Sequence, residues 1–124
     1  MIANQALTAK IIGAAIEVHR HLGPGLFEFT YELCFAKELT LRNIKYERQR
    51  SCSLVYKDLT VDDACRIDFL IENEVVVEIK SVEAFSDIHT SQVLTYLHLL
   101  NLRKGLLLNF NVPVLKDGIK RILL

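Results

Sequence analysis

The chain has 124 residues, 51% of them hydrophobic, with 15 lysines and arginines against 15 aspartates and glutamates. That length and composition fit one globular domain over residues 1–124, and exclude a disordered chain or a pair of domains. A formal net charge of zero counts mildly against a nucleic-acid binder of the strongly basic kind, though not against an enzyme that holds its substrate through metal ions, and no apolar run approaches the ~20 residues that span a bilayer.

Leu7, Ile11, Ile12, Ala15, Ile16 and Val18 recur at near-helical spacing and predict a helix from about Asn4 to His21. His19 and His21 fall near its C-terminal end, where the helix dipole favours an imidazolium. Leu22-Gly-Pro-Gly-Leu26 breaks the chain, with Gly23 suited to cap the helix. A second helix follows from roughly Phe27 to Arg42. Glu28 and Tyr31, three apart, are expected on one side of its first turn, where an acid also stabilises a helix N-terminus.

Tyr46 to Tyr56 reads as a long strand with no strongly apolar face before Leu54, which suits a sheet edge. Lys57-Asp58 is expected to turn, Leu59-Thr-Val61 to extend the sheet, and Asp62-Asp63 to turn again in a solvated loop. Arg66–Ile71 and Val75–Lys80 are two short strands joined by the polar turn Glu72-Asn73-Glu74. Ser86 is placed to cap a helix from Asp87 to about Leu100. Its apolar stripe is Val93, Leu94, Leu97 and Leu100, with His89, Gln92 and Tyr96 along a neighbouring stripe. Leu106–Asn111 lacks alternation and predicts a strand buried on both faces, central or parallel. Gly118–Leu124 can return as an edge strand. The order implies a mixed α/β (α+β) fold.

Cys34, Cys52 and Cys65 fit neither a disulfide framework nor a Cys-x-x-Cys metal site. Met1-Ile-Ala-Asn-Gln lacks the basic start and apolar stretch of a leader. A reduced, cytoplasmic setting is the expectation.

The central hairpin carries the anomaly. Asp68, Glu78 and Lys80 occupy strand positions where a core would hold Val or Leu, and burying unpaired charge is costly. The turn sets a register that pairs Ile71 with Val75, Phe69 with Val77 and Ile67 with Ile79 on one apolar face. The other face then pairs Leu70 with Val76, Asp68 with Glu78 and Arg66 with Lys80; a one-residue slip would mix charge into both faces. Two facing carboxylates cannot both ionise comfortably without a cation. Oxygen ligands without His or Cys favour magnesium or manganese over zinc. A lysine beside such an ion suits in-line hydrolysis of a phosphodiester. The competing reading is an ion pair that merely fastens the hairpin.

Asp68 followed ten residues later by Glu78-Ile79-Lys80 resembles the PD-(D/E)xK nuclease signature, with Ile67 in place of the loosely kept proline. Gln92-Val-Leu-Thr-Tyr96 is similar to the Gln-x-x-x-Tyr motif of RecB-like nucleases. Gly25-Leu-Phe-Glu28-Phe-Thr-Tyr31, with its flanks and the stretch Leu108–Ile122, resembles the small bacterial GxxExxY family of that superfamily. The resemblance implies a restriction-endonuclease-like core, a mixed β-sheet flanked by helices. It implies that Asp68, Glu78 and the Ile79 carbonyl bind magnesium or manganese, that Glu28 completes the acidic cluster, and that Lys80 positions the attacking water. Gln92 and Tyr96 would contact Lys80 or the substrate backbone. His19 and His89 receive no settled role, and the iron–sulfur cysteines of some relatives have no counterpart. The implied substrate is nucleic acid, DNA in preference to RNA, with no membrane partner. A second copy or a protein partner would complete a substrate channel that so small a chain has little room to build. The alternative function is a non-catalytic nucleic-acid-binding or regulatory module that keeps the fold.

Overall fold

The computed structural model describes residues 5–124, so the expected helix start at Asn4 and the stretch Met1–Asn4 lie outside it. Three helices, α1 (Gln5–Leu22), α2 (Glu28–Leu41) and α3 (Asp87–Leu100), flank five strands. The strands are β1 (Tyr46–Tyr56), β2 (Leu59–Ile71), β3 (Val75–Lys80), β4 (Lys104–Asn109) and β5 (Ile119–Leu123), in spatial order β1-β2-β3-β4-β5. Only β3 and β4 run parallel; the other neighbours are antiparallel. The sheet is therefore mixed, with β4 in the parallel position its unbroken apolar sequence predicts and β1 and β5 at the edges. Strand β4 begins two residues before the apolar run, because Lys104 and Gly105 already pair with Val75 and Val76.

Each face of the sheet buries a different helix set. Leu7, Ile11, Ala14, Ala15 and Val18 of α1, and Tyr31, Phe35 and Leu39 of α2, pack on Phe69, Ile71, Val75, Val77 and Ile79. On the other face Val93, Tyr96 and Leu97 of α3 cover Leu70, Val76 and Leu107. The period-two pattern of β3 feeds both layers, which is why its first five residues are all buried. Gly105 is needed where α3 crosses β4, since a Cβ there would collide with Val93.

The chain ends of the helices follow their signals. Gly23 adopts φ +67° and its N–H caps α1 on the His19 carbonyl (2.8 Å). Ser86 precedes α3, and its N–H donates to Nδ1 of His89 (3.1 Å). That bond, with the Phe85 ring against the imidazole, gives His89 a role in starting the helix.

Two expectations fail in β2. Asp62-Asp63 does not turn the chain. One strand runs from Leu59 to Ile71 and absorbs the pair as an irregularity, with Asp63 at φ +52° and the β1–β2 register shifting between Cys52 and Leu54. A β-bulge uses the same left-handed tolerance of Asp that a turn does, so the dipeptide alone does not separate them. Asp63 there accepts a hydrogen bond from the Ser51 hydroxyl. Ile67, expected on the face of Phe69, instead packs in the α3 layer. The alternation is interrupted at Asp68, where side-chain carboxylates take the place of the β2–β3 ladder.

Candidate active site

The β2–β3 ladder holds the expected register, pairing Ile71 with Val75, Leu70 with Val76 and Phe69 with Val77. The pairing then stops. In its place the Asp68 N–H donates to Oε2 of Glu78 (2.7 Å), and the Ile79 N–H donates to Oδ2 of Asp68 (2.9 Å). Each carboxylate thus takes a backbone donor of the opposite strand, and two side chains fill the gap where a ladder would continue. Asp68 and Glu78 are brought together, but between the strands rather than standing on one face. Arg66 and Lys80 are not paired across it: Arg66 is exposed and lies 3.9 Å from Asp63.

This arrangement is electrostatically costly without a cation. Burial, then the Asp68 charge, push the Glu78 carboxyl up to about 8, against the pull of the Asp68 N–H and of Lys80. The Asp68 carboxyl is also raised, by burial first and by Glu32, while the Ile79 N–H, Lys80 and Gln49 oppose the rise. Glu78 is 4% exposed, and its other oxygen accepts no hydrogen bond among the described residues. Lys80, half-buried at the end of β3, forms no ion pair among the described residues. A hairpin fastened by an Asp/Glu–Lys bridge is therefore not what the strands build.

The cluster draws its third carboxylate from Glu32. It is buried on α2, and its charge is felt at both Asp68 and Glu78. Gln49 joins it to the hairpin: the amide donates to both Glu32 oxygens (3.2 and 3.1 Å) and to Oδ1 of Asp68 (3.2 Å). Arg48 adds an ion pair to Glu32 at 3.2 Å. Gln49 holds φ +55°, a conformation uncommon outside glycine that concentrates where structure is fixed for function. Sequence reading missed Glu32 and Gln49. A signal existed for Glu32, because Glu32, Phe35 and Leu39 stand at i, i+3 and i+7, placing a carboxylate on the apolar stripe.

Glu28 is not brought to this cluster. It is exposed in the first turn of α2, a full turn before Glu32, whereas Tyr31 turns into the core. The Tyr31 ring stacks on Phe110 (4.6 Å), and its hydroxyl donates to the Gly23 carbonyl (2.5 Å) and accepts from the Leu26 N–H (3.2 Å). The Gly25-x-x-Glu28-x-x-Tyr31 stretch therefore shapes the loop before α2, with Gly25 at φ +100°.

On α3, Tyr96 faces the carboxylates. Burial and then the Glu78 charge hold its phenol up to about 12, so it stays a proton donor. Gln92, one turn earlier, is exposed. His19 is buried and its Nε2 bonds the Val112 carbonyl (2.8 Å), tying α1 to the loop after β4. Asn109, another residue the sequence did not flag, clamps the segment after Lys80: it accepts from the Val82 N–H (3.1 Å) and donates to the Val82 carbonyl (2.8 Å).

Oxygen donors from two adjacent carboxylates fit a hard divalent cation of the magnesium class. Among the described residues no three His, Cys, Asp or Glu side chains could enclose a metal by themselves. Backbone carbonyls, water or substrate oxygens would have to complete the shell, as magnesium commonly allows. The carboxylates lie toward the C-terminal ends of the parallel pair β3 and β4, where sheets of this kind leave a crevice.

A mixed sheet flanked by helices, with Asp, Glu and Lys gathered at such an end, defines the restriction-endonuclease-like class. A family model described as the PD-(D/E)XK nuclease superfamily matches residues 5–122, and the chain belongs to that superfamily. No curated protein and no solved structure gives a significant match. Among the described residues no helix is long and apolar enough to cross a membrane.

Proposed function

We propose that the chain is a divalent-metal-dependent nuclease that hydrolyses phosphodiester bonds, with DNA as substrate in preference to RNA. The observation that carries this reading is the crossed pair of Asp68 and Glu78, two carboxylates held between the strands and each bonded to the other strand's amide, beside Lys80, which forms no ion pair among the described residues. Superfamily membership supports it, since relatives of this kind are usually nucleases. The Gly25-x-x-Glu28-x-x-Tyr31 and Gln92-x-x-x-Tyr96 stretches support placement in the RecB-like GxxExxY family.

Asp68 and Glu78, with the Ile79 carbonyl, would hold magnesium or manganese. Such an ion supplies charge neutralisation and Lewis acidity to a phosphoryl group. The amides of Asp68 and Ile79 fix one oxygen of each carboxylate and leave the open oxygen of Glu78 for a ligand. Lys80 orients the attacking water and offsets charge developing on the phosphate. Gln49 and Glu32 hold Asp68 in place. Tyr96 offers a phenolic proton to the substrate backbone, and the exposed Glu28 and Gln92 would act only through direct contact with substrate.

The test is cleavage of labelled single- and double-stranded DNA and RNA by the purified chain in magnesium or manganese. Cleavage that ends on chelation and in Lys80→Ala supports a nuclease. Metal-dependent binding of DNA without any cleavage would instead favour a binding module that keeps the fold. Absence of both binding and cleavage would favour a regulatory module, a reading that has one observation behind it: Arg48 and Arg50 are each paired with a carboxylate, which reduces the positive charge they could offer a phosphate.

A further inference from the structure

Cys52 and Cys65 stand directly opposite each other where β1 and β2 pair. Opposed residues of an antiparallel pair put their side chains on one face, with Cα atoms about 4.5 to 5.5 Å apart. A disulfide needs Cα atoms about 4.4 to 6.8 Å apart, so the pairing admits one without moving the backbone. The thiols already meet: Cys65 shares a side-chain hydrogen bond with Cys52. Both are free, and neither takes part in the site chemistry described above.

Their surroundings differ. Cys52 is buried in the layer under α3, whereas Cys65 packs against that layer and stays partly exposed. Cys34 cannot compete, because it packs with α1 and α2 on the other face of the sheet. The position of the pair matters too. Arg50 pairs with Ile67 and Arg48 with Phe69, so Gln49 stands opposite Asp68, three residues from the thiols on each strand. On the other side of the pair the β1–β2 register shifts between Cys52 and Leu54. The cysteines therefore lie between that irregularity and the stretch that brings the Gln49 amide to Asp68.

We propose that Cys52 and Cys65 form a reversible disulfide that pins the β1–β2 register beside the carboxylate site. This goes beyond the nuclease reading and holds whether or not the chain cleaves nucleic acid. The oxidant is a low-molecular-weight disulfide of the glutathione kind. The Cys65 thiolate, the reachable one, attacks one sulfur of that disulfide and displaces a glutathione thiolate. The Cys52 thiolate then attacks the Cys65 sulfur and displaces the second. One S–S bond forms in the protein as one breaks in the oxidant, and the two cysteine protons end on two glutathione thiols. Burial, then the hydrogen bond and charge of Cys52 and the charge of Glu78, push the Cys65 thiol up to about 12. Attack needs the thiolate, so the bond closes slowly near neutral pH.

The test incubates the full chain, Cys34→Ala and Cys65→Ala with oxidised glutathione at about pH 8.5, the ordinary thiol range. Peptide mapping without reductant should show Cys52 joined to Cys65 in the wild type and in Cys34→Ala, and dithiothreitol should release it. Closing a loop of about 15 residues should raise the melting temperature of those two proteins by about 10 °C, and that of Cys65→Ala not at all. Hydrogen exchange at the Asp68 and Ile79 amides, which donate to the two carboxylates, should be no faster in the oxidised form. A wild type that stays reduced overturns the proposal, as does glutathione left on Cys65 without an internal bond, or a bond through Cys34. A crosslink that fails to raise the melting temperature, or that speeds exchange at those two amides, overturns it too, because the bond would then not be holding the register.

Discussion

Replacing Glu78 with Gln isolates the electrostatic cost of the carboxylate pair. Glutamine has nearly the same shape, and its carbonyl oxygen can still accept from the Asp68 N–H, a bond of 2.7 Å in the wild type. What it lacks is the charge. The Glu78 carboxyl, ordinarily at 4.5, is pushed up to about 8 in the folded protein, by burial and then by Asp68. Between those values the folded chain holds a proton that the unfolded chain has released. The group's contribution to stability is therefore complete below about 4.5, declines as pH rises, and is lost above about 8. At ~1.4 kcal/mol per unit the loss is on the order of 5 kcal/mol. Urea unfolding of both proteins in metal-free buffer across that range measures it. The wild type should become progressively less stable than Glu78→Gln as the pH rises, since the variant has nothing to titrate at this position. A stability difference that stays flat with pH, or that favours the wild type at high pH, would refute the reasoning.

Other substitutions probe the supports of the site. Gln49→Ala removes three hydrogen bonds to the carboxylates of Glu32 and Asp68; urea titration should show a loss of about 1–3 kcal/mol, and cleavage should fall with it. His19→Ala breaks the buried bond to the Val112 carbonyl. It should cost about 1–3 kcal/mol of stability, leaving manganese affinity by calorimetry unchanged. Asn109→Ala frees the segment after Lys80 by removing its bonds to Val82. Hydrogen exchange at the Val82 amide should accelerate more than that of the β3 core.

Local signals carried much of this fold. Ser86 before a strong apolar stripe set α3 at Asp87 and ended it at Leu100. Two apolar runs around Glu72-Asn73-Glu74 fixed the register of the hairpin through Phe69 and Val77, because a slip would have mixed its faces. What stayed hidden depends on contacts distant in sequence. Strict alternation placed Ile67 with Phe69, yet it packs under α3, since side-chain carboxylates replace the ladder at Asp68. Asp62-Asp63 carries turn chemistry that a bulge uses equally well. The Gly-x-x-Glu-x-x-Tyr pattern drew attention to Glu28, but α2 turns Glu32 toward Asp68. Gln49 joins two carboxylates 17 and 19 residues away, and no local pattern marks such a residue.

The central claim is that Asp68 and Glu78 are a cation site and not a strained remnant of the sheet. Calorimetric titration of manganese into the wild type, Asp68→Asn and Glu78→Gln tests it most directly. Both amides can keep an acceptor for the opposite strand, so the fold should survive while the charge is lost. Saturable binding to the wild type that strengthens toward about pH 8, as the Glu78 proton leaves, and that vanishes in both variants is the predicted result. Equal binding by all three proteins, or none by a folded wild type at that pH, would contradict it.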